Sequence, residues 1–335
     1  MSNELKGIHH VTAITSSAEK IYDFFTNVLG LRLVKKTVNQ DDINTYHLFF
    51  ADDMGSPGTD ITFFDFVGIS QAKRGTNEIS RTGFRVKDDR SFEYFKKRFD
   101  FYHIKHSEIT MMFKRKTLFF EDFDEGRYAL FSDENIEGVK AGTPWKKGPV
   151  PDEFAITGLG PIFLTVNKIN QMHVMLTEVL GMVEKQKEKE YTLYEMGIGG
   201  NGASVIVTED KFSRNGIQGY GGVHHVAFRV SNLEELSIWQ ERLNKFGAPN
   251  SGLVDRFYFN SLYTRLYPNM LFEIATDDPG FIDDEEGYDI LGETLALPPK
   301  FRKNRDYIEK IVRPIDTVRS NKIFKKEYFN DWIST

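Results

Sequence analysis

The chain has 335 residues, enough to fill two cores rather than one, and its 40% hydrophobic and 27% charged composition is that of an ordinary folded protein. A formal charge of −6 offers no basic field for a phosphate backbone, so a nucleic-acid partner is excluded and a small molecule is expected. The absence of cysteine removes disulfides, thiolate metal sites and a cysteine nucleophile together, so any metal must sit on nitrogen and oxygen.

At the N-terminus, "MSNELKGIHH" lacks a basic region followed by an apolar stretch, and no later run approaches the roughly 18 apolar residues of a membrane span. A cytoplasmic location with no membrane partner is the default expectation. "GIHHVTAI" then reads as a strand opened by His9 and His10. In "SSAEKIYDFFTNVLG" the apolar positions Ile21, Phe24, Phe25, Val28 and Leu29 fall at helical spacing, with Ser16 and Glu19 as a capping box and Gly30 as the stop. Short runs rich in Phe, Tyr, Val and Ile follow, separated by turn residues such as "SPGTD". "TGFRV" opens a second unit, whose helix carries Phe92, Phe95 and Phe99. After it, "EGVKAGTPWKKGPVPDE" has the Gly, Pro and Lys content of an interdomain linker.

The third unit opens at "GPIFLTV", and its helix places Met172, Met175, Leu176, Val179, Leu180 and Gly181 each 151 positions after the counterparts in the first. The same displacement sets Pro161 where the first unit has His10, so the fold repeats and the chemistry does not. A fourth unit begins with "GGVHHVAFRV" and has a helix with Leu236, Trp239, Leu243 and Phe246. Each unit reads as strand, helix, then three strands, over about 7–67, 80–135, 157–210 and 221–276. Beyond them, the acidic "TDDPGFIDDEEGYD" reads as a solvated surface loop and "ALPPKFRKNRDYIEKI" as a short packed helix, followed by an extension with no assigned purpose. "GIGGNG" matches a dinucleotide fingerprint but leads into a strand rather than a helix, which makes it a turn.

Four of the eight histidines stand as two pairs at equivalent places in the first and fourth units. Alternation along a strand puts His10 and Thr12 on one face, and likewise His225 and Ala227, with His9 and His224 on the other. If the two units pair about a local twofold, His10 approaches His225. The run "NMLFEIAT" adds Glu273 among apolar neighbours, where a carboxylate is costly to bury unless a cation neutralises it. Two histidines and one carboxylate on one face of an ion is the arrangement of non-haem Fe(II) oxygenases, and zinc enzymes use the same residue types. A single histidine here would read as a core residue, as would His47, His103, His106 and His173, which are expected in structural or surface roles.

The stretches "GIHHVTAI", "GGVHHVAFRV" and "SLYTRLYPNMLFEIAT" resemble the vicinal oxygen chelate superfamily, and "YHLFFADDMGSPGTDITFF", "DRFYFNSLY" and "LALPP" bring the resemblance to its hydroquinone-type ring-cleaving dioxygenases, over about residues 5–310. The resemblance implies an α+β fold in which four βαβββ units form two vicinal oxygen chelate domains with cupped mixed sheets. The expected division is residues 1–145, 155–310 and a tail, 311–335. Ligands from the first and fourth units ask those two to form one cup, within one chain or by swapping between subunits, and leave the second and third to form another without metal. The resemblance further implies His10, His225 and Glu273 as metal ligands, and substrate-facing or supporting roles for His9, Thr12, His224, Arg256 and Tyr263. A three-residue hairpin connection, Tyr267 to Asn269, would put Tyr263 opposite Glu273.

The activity so implied is extradiol-type cleavage of a hydroquinone or catechol by O2, with Fe(II) as cofactor, Mn(II) as its substitute and Zn(II) less suited. A homo-oligomer, in its simplest form a dimer, is expected. A metal-dependent lyase or thiol transferase of the same fold, and a non-catalytic aromatic-binding protein, are the competing readings. Metal content and oxygen dependence separate them.

Overall fold

The computed structural model describes residues 4–283 and 285–329. Each unit folds as a strand, a helix and three more strands. In the first, Ile8–Ile14 leads to the helix Ala18–Asp23, which closes in a π turn, Phe24–Val28, before the strands Arg32–Val38, Tyr46–Ala51 and Asp60–Phe64. The third unit repeats even this closing turn. Leu29 N–H donates to the Phe24 carbonyl at 3.0 Å and Leu180 N–H to the Met175 carbonyl at 3.0 Å, the five-residue step of a π bulge. The helix cap differs from expectation: Ser17 accepts from the Lys20 N–H, because Ser16 is drawn away to donate to Asp124 of the second unit. Phe246 likewise lies past the end of its helix, half exposed, while Leu236, Trp239 and Leu243 are buried.

The units pair into two eight-stranded mixed sheets. In one, the first strand of unit 1 lies antiparallel to that of unit 4, Val223–Val230, and each unit continues outward through its fourth, third and second strands. In the other, Glu78–Val86 of unit 2 and Ile156–Val166 of unit 3 form the same seam. Each sheet thus takes one unit from either side of the segment 146–154, and the first cup is built within a single chain.

One continuous core, with Phe25, Phe50, Phe84, Phe95 and Trp239 fully buried, fills the space between the sheets and their helices. The inner faces diverge. In the second sheet that face is filled by Phe131, Phe163, Leu193 and Ile206, and Pro161 and Phe163 stand where unit 1 has His10 and Thr12. In the first it keeps polar groups. Among the described residues no helix is long and apolar enough to cross a membrane.

The acidic loop and the tail are both part of the packed structure. Glu286 of the acidic loop is fully buried and faces the equally buried Lys35 at 2.9 Å, with Asp283 at 3.2 Å from the same ammonium. This loop is therefore not simply solvated: buried charges persist only when paired. The tail runs as a strap across the helices of units 1 and 2. Arg319 donates to Thr26 and Asn27, Lys326 to the Val150 carbonyl, and Glu327 accepts from Arg98. Residues 330–335 lie outside the described residues.

Candidate metal centre

The antiparallel seam between units 1 and 4 brings the Nε2 atoms of His10 and His225 to 3.3 Å. Glu273, on the strand Met270–Pro279 next to Val223–Val230, places Oε2 3.2 Å from His10 Nε2 and 2.9 Å from His225 Nε2. All three side chains are buried. Ser261 donates to Glu273 Oε1 at 2.5 Å, whereas Oε2 has no hydrogen-bond partner.

The state of the histidines follows from their outer partners. His9 Nε2 lies 3.0 Å from the Thr276 carbonyl, which can only accept, so the proton of His9 is on Nε2 and its Nδ1 is an acceptor. Burial and the neighbouring His10 push His9 down to about 3, so it carries no second proton. His10, 2.9 Å away from Nδ1 to Nδ1, must then donate from Nδ1, which directs its Nε2 toward Glu273 and His225 as the atom able to bind a cation. His224 supports His225 through the same Nδ1 to Nδ1 contact at 2.7 Å, and burial pushes it to about 3 as well. Burial also drives His225 toward its neutral form. For Glu273, burial acts to raise the pKa, but His10 and His225 pull it well below the usual carboxylate range. An ionised carboxylate oxygen that meets only imidazole nitrogens is not fully balanced inside a protein.

A divalent cation supplies that balance, and the spacing suits one. Bonds of about 2.0–2.2 Å to such ligands would make edges of 2.9–3.3 Å subtend roughly 80–110°, angles at which three ligands can share one ion. The three residues can hold a metal ion.

Strict alternation sends His9 and His224 to the far side of the sheet, yet both rings meet the inner histidines. Bulges explain it. The pairing skips His9 between Ile8↔Phe228 and His10↔Ala227, and skips His224 between Thr12↔His225 and Ala13↔Val223. The extra residue of a bulge turns its side chain out of the regular alternation. His9→Ala is expected to weaken metal retention by about 10- to 100-fold without abolishing it, read by competition with a chelator. A change below about threefold would remove its supporting role.

A cavity of about 420 Å³ opens over His10 and His225, walled by Phe49, Phe64, Phe66, Tyr258, Phe259 and Leu271, with Glu273 buried beneath them. The hairpin connection is three residues, Tyr267 to Asn269, so Tyr263 opposes Glu273 in register. Its ring meets His225 edge-on at 5.9 Å, and its hydroxyl accepts from Arg256 Nε at 3.1 Å. Arg256 also reaches Asp41 at 3.0 Å. Thr12 is fully buried, with its hydroxyl 2.9 Å from that of Thr62.

Thr62 occupies the place that Glu273 holds in the other half: Thr12 pairs with Thr62, and Ala227 with Glu273. The pseudosymmetry therefore delivers two histidines and only one carboxylate. His47 Nε2 lies 2.8 Å from the Thr62 hydroxyl, its ring packed on Phe49 at 4.0 Å and Phe64 at 4.4 Å. Sequence reading set His47 aside as structural or surface. The available signal was its alternation with Phe49 in "NTYHLFF". Asp41, in a loop, and Ser261 carried none.

The model of the glyoxalase/bleomycin resistance protein/dioxygenase superfamily matches residues 7–88 and 158–290. The chain is 42% identical over 317 residues to a Bacillus subtilis protein provisionally named ring-cleaving dioxygenase MhqA, covering 93% of this chain and 99% of that one. It is 29% identical over 319 residues to the chlorohydroquinone/hydroquinone 1,2-dioxygenase of Sphingobium indicum, covering 91% and 95%. A crystal structure of a Bacillus subtilis protein provisionally called a dioxygenase superposes with a TM-score of 0.86 at 31% identity, over 95% of this chain and 100% of that one.

Proposed function

This chain belongs to the glyoxalase/bleomycin resistance protein/dioxygenase superfamily, and on that premise we propose that it is an Fe(II)-dependent, extradiol-type ring-cleaving dioxygenase of hydroquinone- or catechol-like aromatics. The observation that carries the reading is the convergence of two imidazole nitrogens, on the lining of a cavity walled by aromatic rings, with a carboxylate oxygen buried beside them that has no other hydrogen-bond partner. Relatives named for ring cleavage and for hydroquinone oxidation support it.

His10, His225 and Glu273 would hold the ion. Bound iron supplies the electron transfer between a phenolic ring and O2 that their spin states forbid directly. Mn(II) shares the ligand preference, whereas Zn(II) lacks the redox step. The chain's own residues do the rest. The aromatic wall takes the flat face of the substrate and excludes water. Burial keeps the Tyr263 phenol protonated far above neutral pH, so it donates toward a developing oxyanion, and Arg256 Nε, hydrogen-bonded to that hydroxyl, disperses the charge. His224 lines the cavity and, accepting on Nδ1 from His225, presents its remaining proton on Nε2, where it exchanges with substrate hydroxyls. Thr12 anchors the seam beside the ligands. The protein acts in the cytoplasm as a homodimer.

Protein loaded anaerobically with Fe(II) is expected to consume one O2 per ring on addition of hydroquinone, methylhydroquinone or catechol, followed with an oxygen electrode. Stoichiometric iron with no O2 uptake across that panel rejects the activity. Oxygen-independent turnover of a thiol adduct by a zinc-loaded form would favour a glyoxalase-like lyase.

A further inference from the structure

Arg256 is the one lysine or arginine side chain among the residues that line the cavity. Its guanidinium is largely buried, with 20% of the side chain exposed, and each of its three nitrogens makes a hydrogen bond. Nε donates to the Tyr263 hydroxyl at 3.1 Å, while Nη1 and Nη2 donate to the two Asp41 oxygens at 3.3 and 3.0 Å. The segment that brings Asp41 is tied down separately, since Gln40 Nε2 donates to the Arg256 carbonyl at 2.7 Å. Asp41 itself comes from the solvent side, with 71% of its side chain exposed. Asp42 follows on the same rim and is occupied by Asn44 and Thr45.

The mouth therefore carries two carboxylates against one cation, and that cation is already forked onto one of them. A ring bearing its own carboxylate would lose its hydration among phenylalanines, meet the rim acids and find the one guanidinium already charge-paired with Asp41. A ring with only hydroxyl and apolar substituents meets none of these costs. We propose that Asp41 is a specificity-determining residue: by holding Arg256 as its counter-ion, it restricts the site to uncharged dihydroxy aromatics and turns away ring acids. This rests on the aromatic-substrate reading above and narrows it to one charge class.

The test is anaerobic equilibrium binding to the Fe(II)-loaded protein, with methylhydroquinone and 2,5-dihydroxybenzoate as probes, which differ by a methyl against a carboxylate. Wild-type protein is expected to prefer the methyl compound by at least about tenfold, the scale of one charge-assisted hydrogen bond. In Asp41→Asn that ratio falls by about tenfold as Arg256 is released to the ring carboxylate. Adding Arg256→Gln restores the discrimination. The ratio is read within each variant, so partial unfolding does not alter it. An unchanged ratio in Asp41→Asn, or equal binding of both probes to wild type, overturns the proposal while leaving the aromatic reading in place. Binding of neither probe by the iron-loaded wild type overturns both.

Discussion

Glu273→Ala is expected to lose its metal: after anaerobic reconstitution and desalting, iron falls from near one per chain to background, as read by elemental analysis. The physical reason is the isolation of Oε2, which has no partner besides the two imidazole nitrogens. Removing the one anionic group costs about 3–5 kcal/mol, on the scale of breaking a buried charge pair, or about 10²–10³-fold or more in affinity. His225→Ala should do the same. The two variants differ in the metal-free protein. Glu273→Ala relieves an unbalanced buried carboxylate and should leave apo stability within about 1–2 kcal/mol of wild type, while the gain that wild type shows on adding Fe(II) disappears. Retention of stoichiometric iron by Glu273→Ala would end the assignment of this carboxylate as a ligand.

Arg98→Ala is expected to destabilise the fold by about 3–5 kcal/mol in chemical denaturation, far from any cavity. Arg98 is fully buried on the helix Arg90–Phe101 of unit 2. Its Nε donates at 2.6 Å to the Val28 carbonyl, at the end of the unit 1 helix, and its Nη1 donates to the Tyr94 hydroxyl at 3.0 Å and to Glu327 of the tail at 2.6 Å. One side chain thus joins two units and the strap, and its loss strands a buried carbonyl and leaves Glu327 with the Tyr102 hydroxyl in place of its charge partner. Arg98→Lys keeps the charge but not the fork, and should recover only part of the loss. A loss below 1 kcal/mol would mean that the strap is not held through this residue.

The helices of units 1 and 3 were legible because burial imposes a 3.6-residue rhythm that Ile21 to Leu29 and Met172 to Leu180 both obey. Their shared displacement then exposed the repeat. That His10 and His225 come together follows from that repeat and one assumed twofold. The orientation of His9 and His224 did not follow. Each lies at a bulge that exists only when the two seam strands pair in their actual register, so alternation along one strand misdirected both. The cap at Ser17 was missed for a similar reason, since Asp124 of another unit competes for Ser16. The acidic loop read as surface, and the tail had no assigned purpose, because their charges lack periodicity. Their partners, Lys35 and Arg98, are far away along the chain.

By itself, the order of amino acids determined four βαβββ units, paired histidines in one half against Pro161 in the other, and the absence of cysteine chemistry. These are matters of composition and short-range spacing, which every stretch of chain carries within itself. Only the tertiary structure decided that Thr62, in the register position matching Glu273, bonds Thr12 and His47, and that Asp41 reaches over the rim to Arg256. Such contacts depend on strand register and on loops folding across a cup. Residues far apart along the chain meet there with no local pattern to announce it.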